Sequence, residues 1–430
     1  MLIEDKEIII DILKKGIKPA TGCTEPIAVA YAVAVVKEKV KGSLESINIQ
    51  IDLNIYKNGL MVTIPGTTEK GLIIAGALGF VAGDVKKGLS VIEGLNKKDV
   101  ESAKALIKQG KVNLKVKENC NQLNIEVILV TSEEKVRIII LENHLNIVSI
   151  EKTDKDCEFK PFIAGKQKTN SSNKIIQKYD LNHFLEFANE MPIDELRFLE
   201  DGVKMNLNIA KEGLTIKDGV GAKFMEMITE GLMSDNMITR AQVLCAAASK
   251  ARMSGSKLPV MSTSGSGNHG ITAFLTIFAV AEKRNLPEEK LMRALALTNL
   301  ITIFIKSYTG VLSAMRGCGV AAGIGASAGV VYLLGGKRDQ ILGAMYNMVG
   351  SISGMICDGA KDGCAYKLAL ASGWAVQSAL LSLNGAIINK NDGIVNADFR
   401  KLFRNLGYIC NPGMISTDKA IIEVMLDKID

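Results

Sequence analysis

Residues 112–152 read VNLKVKENCNQLNIEVILVTSEEKVRIIILENHLNIVSIEK. Apolar and polar residues alternate in four runs, NLKVKE, LNIEVILV, KVRIIILE and LNIVSIEK, with polar turns between them. A period of two marks strands with one buried face, so this stretch predicts four short strands in a small antiparallel sheet. Beyond residue 178 that period is gone, and residues 180–430 follow a helical pattern with short breaks at Gly or Pro. Between the two lies 153–178, TDKDCEFKPFIAGKQKTNSSNKIIQK, polar and basic, which reads as a linker. The expectation is an α+β protein. Its N-terminal α/β domain covers 1–165 with the small antiparallel sheet, and a large, mostly α-helical domain covers 166–430.

Upstream of the sheet, residues 46–64 also alternate and predict a hairpin turned at Lys57–Asn58–Gly59. Helices are predicted over 5–15, 26–41, 69–83 and 98–109. Pro26 suits a first helical turn, with Thr24 or Glu25 as the cap, so Cys23 falls just before a helix N-terminus.

A chain of 430 residues has material for two or three domains. Aromatics make up only 5% while glycine reaches 40 residues, which points to cores packed by small side chains. The net charge of +6 is scattered, with no basic block interleaved with aromatics, and this argues against nucleic acid. The start, MLIEDKEIIIDILKKG, lacks the basic, apolar and small-residue regions of a signal peptide, so a cytoplasmic protein is expected. Residues 258–281, 318–336 and 340–357 carry no Asp, Glu, Lys or Arg over bilayer-spanning lengths. They are rich in Gly, Ser, Thr and Asn, and flanking Arg316, Lys337 and Arg338 set no inside–outside bias. Buried helices of a bundle are the expectation, with no membrane.

Eight cysteines in a cytoplasmic chain point to free thiols, catalytic groups or metal ligands. Cys318 lies in RGCGVAAGIGASAG; Cys357 and Cys364 lie in ICDGAKDGCAYKLA. Glycines between the latter two let the segment wrap, and Cys318 stands about one helical hairpin away, so the three can converge. Three thiolates can hold an iron–sulfur cluster and leave one iron open as a Lewis acid. The same residues are compatible with buried free thiols, or with a Cys₃His zinc site completed by His269, although no CxxC pair is present. Cys23 would feel the positive end of a helix dipole, which favours thiolate and suits a base, a nucleophile or a ligand. Glu25 competes for the role of base. In STSGSGNHG (262–270), glycines and hydroxyls precede a helix and offer a seat for a carboxylate, with Ser264, Ser266, Asn268 and His269 as its binding groups. The loop lacks a Walker Lys and a GxGxxG turn, so no nucleotide is expected. His144 and His183 lie in polar segments and read as surface residues. Cys120, Cys157, Cys245 and Cys410 have no supporting context.

Taken together, ATGCTEP (20–26), STSGSGNHGI, RGCGVAAGIGASAG and CDGAKDGC resemble the L-cysteine desulfidase family, itself related to the α region of iron–sulfur L-serine dehydratases. The resemblance covers nearly the whole chain. It implies a [4Fe–4S] cluster on Cys318, Cys357 and Cys364, and Cys23 as proton acceptor beside the substrate. The implied activity is a lyase reaction without pyridoxal phosphate: β-elimination of L-cysteine to pyruvate, ammonia and sulfide. An L-serine dehydratase is the alternative within the class, and a non-catalytic metal or redox sensor the alternative outside it. The expected partner is a small amino acid, and a homo-oligomer is compatible with the sequence.

Overall fold

A computed structural model describes residues 2–117, 123–162, 175–310 and 312–427. The chain begins with α1 (Ile3–Gly16), β1 (Ile17–Ala20), α2 (Thr24–Lys37), β2 (Leu44–Ile51), α3 (Leu53–Gly59), α4 (Leu72–Ala82) and α5 (Lys97–Lys108). The four expected strands follow as β3 (Val112–Val116), β4 (Asn124–Thr131), β5 (Glu134–Leu141) and β6 (Ile147–Asp154). Next come α6 (Leu181–Glu190), α7 (Ile193–Leu196), α8 (Phe198–Leu214), α9 (Val220–Thr229), α10 (Met237–Met253) and the short strand β7 (Val260–Thr263). The chain continues with α11 (Gly267–Lys283), α12 (Glu288–Thr309), α13 (Ala321–Leu333), α14 (Arg338–Ile352), α15 (Gly363–Leu383), α16 (Phe399–Tyr408) and α17 (Ile415–Leu426). The architecture is α+β, with a small sheet and a large helical part.

The sheet has five strands in the order β3-β2-β4-β5-β6. Three of its pairings are antiparallel, and β2 runs parallel to β3. The alternation places Ile47, Ile49 and Ile51 on one face with Ile125, Val127, Leu129, Val136, Ile138 and Ile140, all of them buried. Helices α2 and α4 cover that face, and α2 is apolar on nearly every side because α4 and the sheet enclose it.

The expected hairpin over 46–64 is replaced by a strand and a helix. Asp52 ends β2 and caps α3, accepting from the backbone N–H of Asn54 and Ile55 at 2.8 and 3.1 Å. The cap carboxylate satisfies N–H groups that a continuing strand would pair, and so favours helix over turn. The residues read as a turn, Lys57 and Asn58, are buried. Lys57, fully buried, forms an ion pair with the largely buried Asp418 of α17.

The second core draws on residues from 176 to 410 and also on Ile9, Ile10, Ile12, Leu13 and Ile17 of the first helix and strand. Strand β1 pairs antiparallel with β7, Ile17 opposite Thr263 and Ala20 opposite Val260. That ladder ties the ATGC segment to the STSGSG segment, some 240 residues apart in sequence. The charge-free stretches form α11, α13 and α14, buried among other helices. Among the described residues one helix, Glu288–Thr309, is long and apolar enough to cross a membrane, and 83% of its most apolar window is buried within the fold. The expected boundary at 165/166, the linker centre 163–174 and Cys120 lie outside the described residues.

Candidate functional site between the sheet and helical parts

A cavity opens where the two cores meet. Cys23, Glu25, Asn58 and His144 line it from the sheet side. Arg252, the 264–269 segment, Lys306, Arg316, Cys318 and Cys357 line it from the helical side.

Cys23 is the N-cap residue of α2 and makes no side-chain cap bond. Its Sγ donates instead to Glu25 Oε2 at 2.7 Å. Thr24 Oγ1 donates to the same oxygen at 3.3 Å, and Asn58 Nδ2 donates to Oε1 at 3.3 Å. The expected acidification of Cys23 by the helix N-terminus is outweighed. Burial, with Glu25 alongside, pushes the thiol well up. Burial would also raise Glu25, but His144, the Cys23 bond and Arg252 together hold its carboxyl below the usual range. The resting pair is therefore a thiol donating to a carboxylate, one proton shared between two candidate bases.

The 263–266 segment is a tight turn with reciprocal backbone bonds between Thr263 and Ser266 at 3.1 Å. Ser264 and Gly265 both have positive φ, 49° and 74°, the geometry of a type I′ turn. The turn delivers Ser266 as the N-cap of α11, followed by Asn268 and His269 in its first turn. His269 Nδ1 lies 3.1 Å from the Thr263 carbonyl. A carbonyl can only accept, so Nδ1 carries the proton and Nε2 presents its lone pair toward Gly317, where a Cβ would stand 2.4 Å from that nitrogen. Only glycine fits there. Burial and the cations Lys306, Arg316 and Arg252 push His269 down to about 3, so it is neutral.

Arg252 joins the two sides. It donates to Asn268 Oδ1 at 3.0 Å and to the Gly22 carbonyl at 2.5 Å, next to Cys23. Its Nε is buried without a partner. Arg316 donates to the Gly359 carbonyl at 2.8 Å and to Asp358 at 3.4 Å, and its Nε is likewise unpartnered. Asp358 also pairs with Lys361 and Lys367 at 2.5 Å each. Burial would raise its carboxyl, but those lysines hold it far below the carboxylate range.

The three cysteines of the motifs come together. An antiparallel bridge between Met315 and Ile356 aligns the segment before Cys318 with the one before Cys357. Arg316 N donates to Met355 O at 2.8 Å and Cys357 N to Ala314 O at 2.6 Å. Cys364 sits in the first turn of α15, its sulfur accepting from Lys361 N at 3.4 Å. Burial, partly offset by Arg316 and reinforced by Cys364 and Cys357, pushes the Cys318 thiol up to about 11. Asn58 links this group to the base pair: its Oδ1 accepts from Cys357 Sγ at 3.7 Å while its Nδ2 serves Glu25. Among the described residues, no group of three or more His, Cys, Asp or Glu stands close enough to grip a single ion.

All the expected site residues except Cys364 line this one cavity, and Cys364 is fully buried outside its lining. His183 occupies a half-exposed cap of α6, bonded to Asp180 at 2.7 Å, as expected of a surface residue. His144 does not: it is 5% exposed. Asn58, Arg252 and Lys306 were not singled out from sequence, and Arg316 drew notice only as a flanking charge. Asp52 directly before LNIYKNG was the readable signal for Asn58. No local signal marks the other three.

A family model described as serine dehydratase alpha chain matches residues 86–423. A UPF0597 protein of Clostridium tetani is 43% identical over 421 residues, covering 98% of both chains. One from Desulfatibacillum aliphaticivorans is 40% identical over 97% of this chain and 98% of its own. One from Alkaliphilus metalliredigens is 41% identical over 98% of this chain and 95% of its own. The match spans the three cysteines, the 262–270 turn and the sheet's last strands, and on that extent the chain belongs to the serine dehydratase alpha chain family.

Proposed function

We propose that the protein is a lyase that eliminates the β-substituent of a small L-amino acid, with L-cysteine as substrate and pyruvate, ammonia and sulfide as products. The observation that carries the reading is the Cys23–Glu25 pair facing buried Cys318 and Cys357 across one cavity, with buried Cys364 interacting with Cys318.

The cysteine trio fits an iron–sulfur cluster by the chemistry of its donors. Three buried thiolates would repel one another, and metal cations among them would offset that charge. Each thiolate of a cluster binds its own iron, so the sulfurs surround an inorganic core and do not meet at one point. Cys318, Cys357 and Cys364 would hold a [4Fe–4S] group, with Arg316 and Lys306 as buried counter-charges. When bound, the group would supply a Lewis-acidic iron at the cavity wall.

The chain's own residues account for the rest. Arg252 and the 264–268 turn orient the substrate carboxylate. The Cys23–Glu25 pair acts as one base: Cys23 Sγ accepts the α-proton as its own proton passes to Glu25. The Cα–H electron pair forms the Cα=Cβ bond, and the Cβ–S pair leaves with hydrosulfide. The Cys23–Glu25 pair then returns one proton to sulfide or solvent, and free 2-aminoacrylate hydrolyses to pyruvate and ammonium. Hydrosulfide can leave without taking up a proton, whereas hydroxide needs one as it departs.

L-serine dehydration is the second reading, favoured by the family match. Anaerobic purification, with iron and acid-labile sulfide counted and each amino acid then supplied, tests both. Equimolar sulfide and pyruvate from L-cysteine is the expected result. Pyruvate from L-serine alone selects the second reading, and no product from either overturns the lyase assignment.

A further inference from the structure

His144 occupies the tip between β5 and β6, where its neighbours Asn143 and Leu145 are exposed or half-exposed. Backbone bonds hold the tip firmly: Leu141 N to Asn146 O at 3.1 Å, Glu142 N to Leu123 O at 3.1 Å and Asn146 N to Asn143 O at 3.2 Å. Glu142 sits at φ 68°, which turns the chain so that the His144 ring enters the cavity. The ring reaches the 263–266 turn, its Nδ1 3.7 Å from where a Gly265 Cβ would stand. Its Nε2 is buried and has no hydrogen-bond partner. Burial lowers the imidazole's pKa while Glu25 opposes the shift, and the net direction is down, so the ring is neutral near pH 7. A neutral ring offers one lone pair.

The cavity is polar in the sense of having two unlike ends. Its helical side carries three buried cations, Arg252, Lys306 and Arg316. Its sheet side carries Glu25, the one carboxylate among the described lining residues. A carboxylate has about four lone-pair sites, and Cys23, Thr24 and Asn58 occupy three of Glu25's. Glu25 can therefore give an ammonium group its charge but only one further acceptor. His144 Nε2 lies on the same side, unpartnered, and in the Nδ1–H tautomer it supplies another.

We propose that His144 is a substrate-binding residue, its Nε2 accepting a hydrogen bond from the substrate's α-ammonium beside Glu25. The sheet side then reads the amino group and the helical side reads the carboxylate. The inference rests on the cavity being an amino-acid site, and its test separates the two ideas.

Anaerobic holoenzyme would be titrated calorimetrically with L-alanine, which has no β-leaving group, and with propionate, the same skeleton without the ammonium. His144→Ala is expected to weaken L-alanine by about 10–100-fold, as for loss of a hydrogen bond to a charged group. Propionate should change by no more than about twofold. His144→Gln, which keeps a side-chain acceptor, should recover part of the L-alanine affinity. Equal weakening of both ligands would make His144 a structural prop and overturn the inference, as would no change in either. Wild-type protein that fails to bind L-alanine while turning over neither L-cysteine nor L-serine would remove the amino-acid reading itself.

Discussion

The two sides of the cavity are built by opposite means. On the helical side the chemistry is concentrated: Cys318, Cys357, Cys364 and the 264–269 turn sit in three short strings at helix starts. On the sheet side it is dispersed. Cys23 and Glu25 open α2, Asn58 comes from α3, and His144 comes from a hairpin tip. On the proposed reading, the contrast teaches that a cofactor cradle and a proton-handling wall make different demands. A cradle needs several identical ligands at fixed spacing, which short glycine-rich segments provide. A proton-handling wall needs unlike groups at hydrogen-bond distance, and separate elements of the fold can each bring one.

If the helical side is a cluster cradle, Cys318→Ala, Cys357→Ala or Cys364→Ala should each remove iron, visible absorbance and turnover together. The expected loss of activity is about 1,000-fold or more, the several kcal/mol a Lewis-acid site supplies. A colourless variant with full activity would break the assignment. Changes on the sheet side should leave iron in place. Cys23→Ala and Glu25→Gln are each expected to lower kcat by about 100–1,000-fold at unchanged iron content. The double variant should be hardly worse than either single one, because the pair acts as a unit. Iron loss from Cys23→Ala would move Cys23 to the cradle and erase the distinction between the sides.

The remaining tests concern what holds the sides together. Lys57→Met leaves Asp418 buried without its partner and should cost about 3 kcal/mol of unfolding free energy. Lys57→Met with Asp418→Leu should recover most of it in denaturant titrations. The smallest effect belongs to Asp52, which burial raises to about 6 despite its backbone hydrogen bonds. A carboxyl whose folded pKa exceeds its unfolded one gives stability below pH about 4 that is lost as pH rises through about 6. Relative to Asp52→Asn, wild-type stability should therefore fall by about 2 kcal/mol between pH 4 and 7. A flat difference would show that the α3 cap titrates as in the unfolded chain.

Much of the helical side was legible because its residue types are rare and crowded. Three cysteines among small residues admit few readings, and their convergence needed only short loops. The sheet strands were legible from Ile and Val alternation, yet the insertion of β2 between β3 and β4 was not. Register between distant strands leaves no trace in either one alone. Asn58 was lost because alternation was carried past Asp52, where a cap carboxylate turns the backbone into a helix. His144 was lost because a polar tip is ordinarily solvated, whereas here it packs against the distant 263–266 turn at Gly265. Arg252 lies within an alanine-rich helix, where a single cation commonly points to water; its two acceptors, Gly22 and Asn268, come from opposite ends of the sequence. The family match begins at residue 86, so Cys23, Glu25 and Asn58 all precede it.

The Lys57–Asp418 pair has a consequence for the order in which the site can form. An ammonium group enters an apolar interior at high cost until its carboxylate arrives. Asp418 leaves the ribosome some 360 residues after Lys57. Until α17 docks, Lys57 of α3 lacks its partner, and Asn58, one residue along, is not yet fixed between Glu25 and Cys357. The cysteine trio is translated before that moment, but the proton-handling side facing it is completed only by the last helix. If the proposed cluster is bound, a nascent chain would present its thiols for metal loading while the cavity still lies open, and close the pocket once α17 docks.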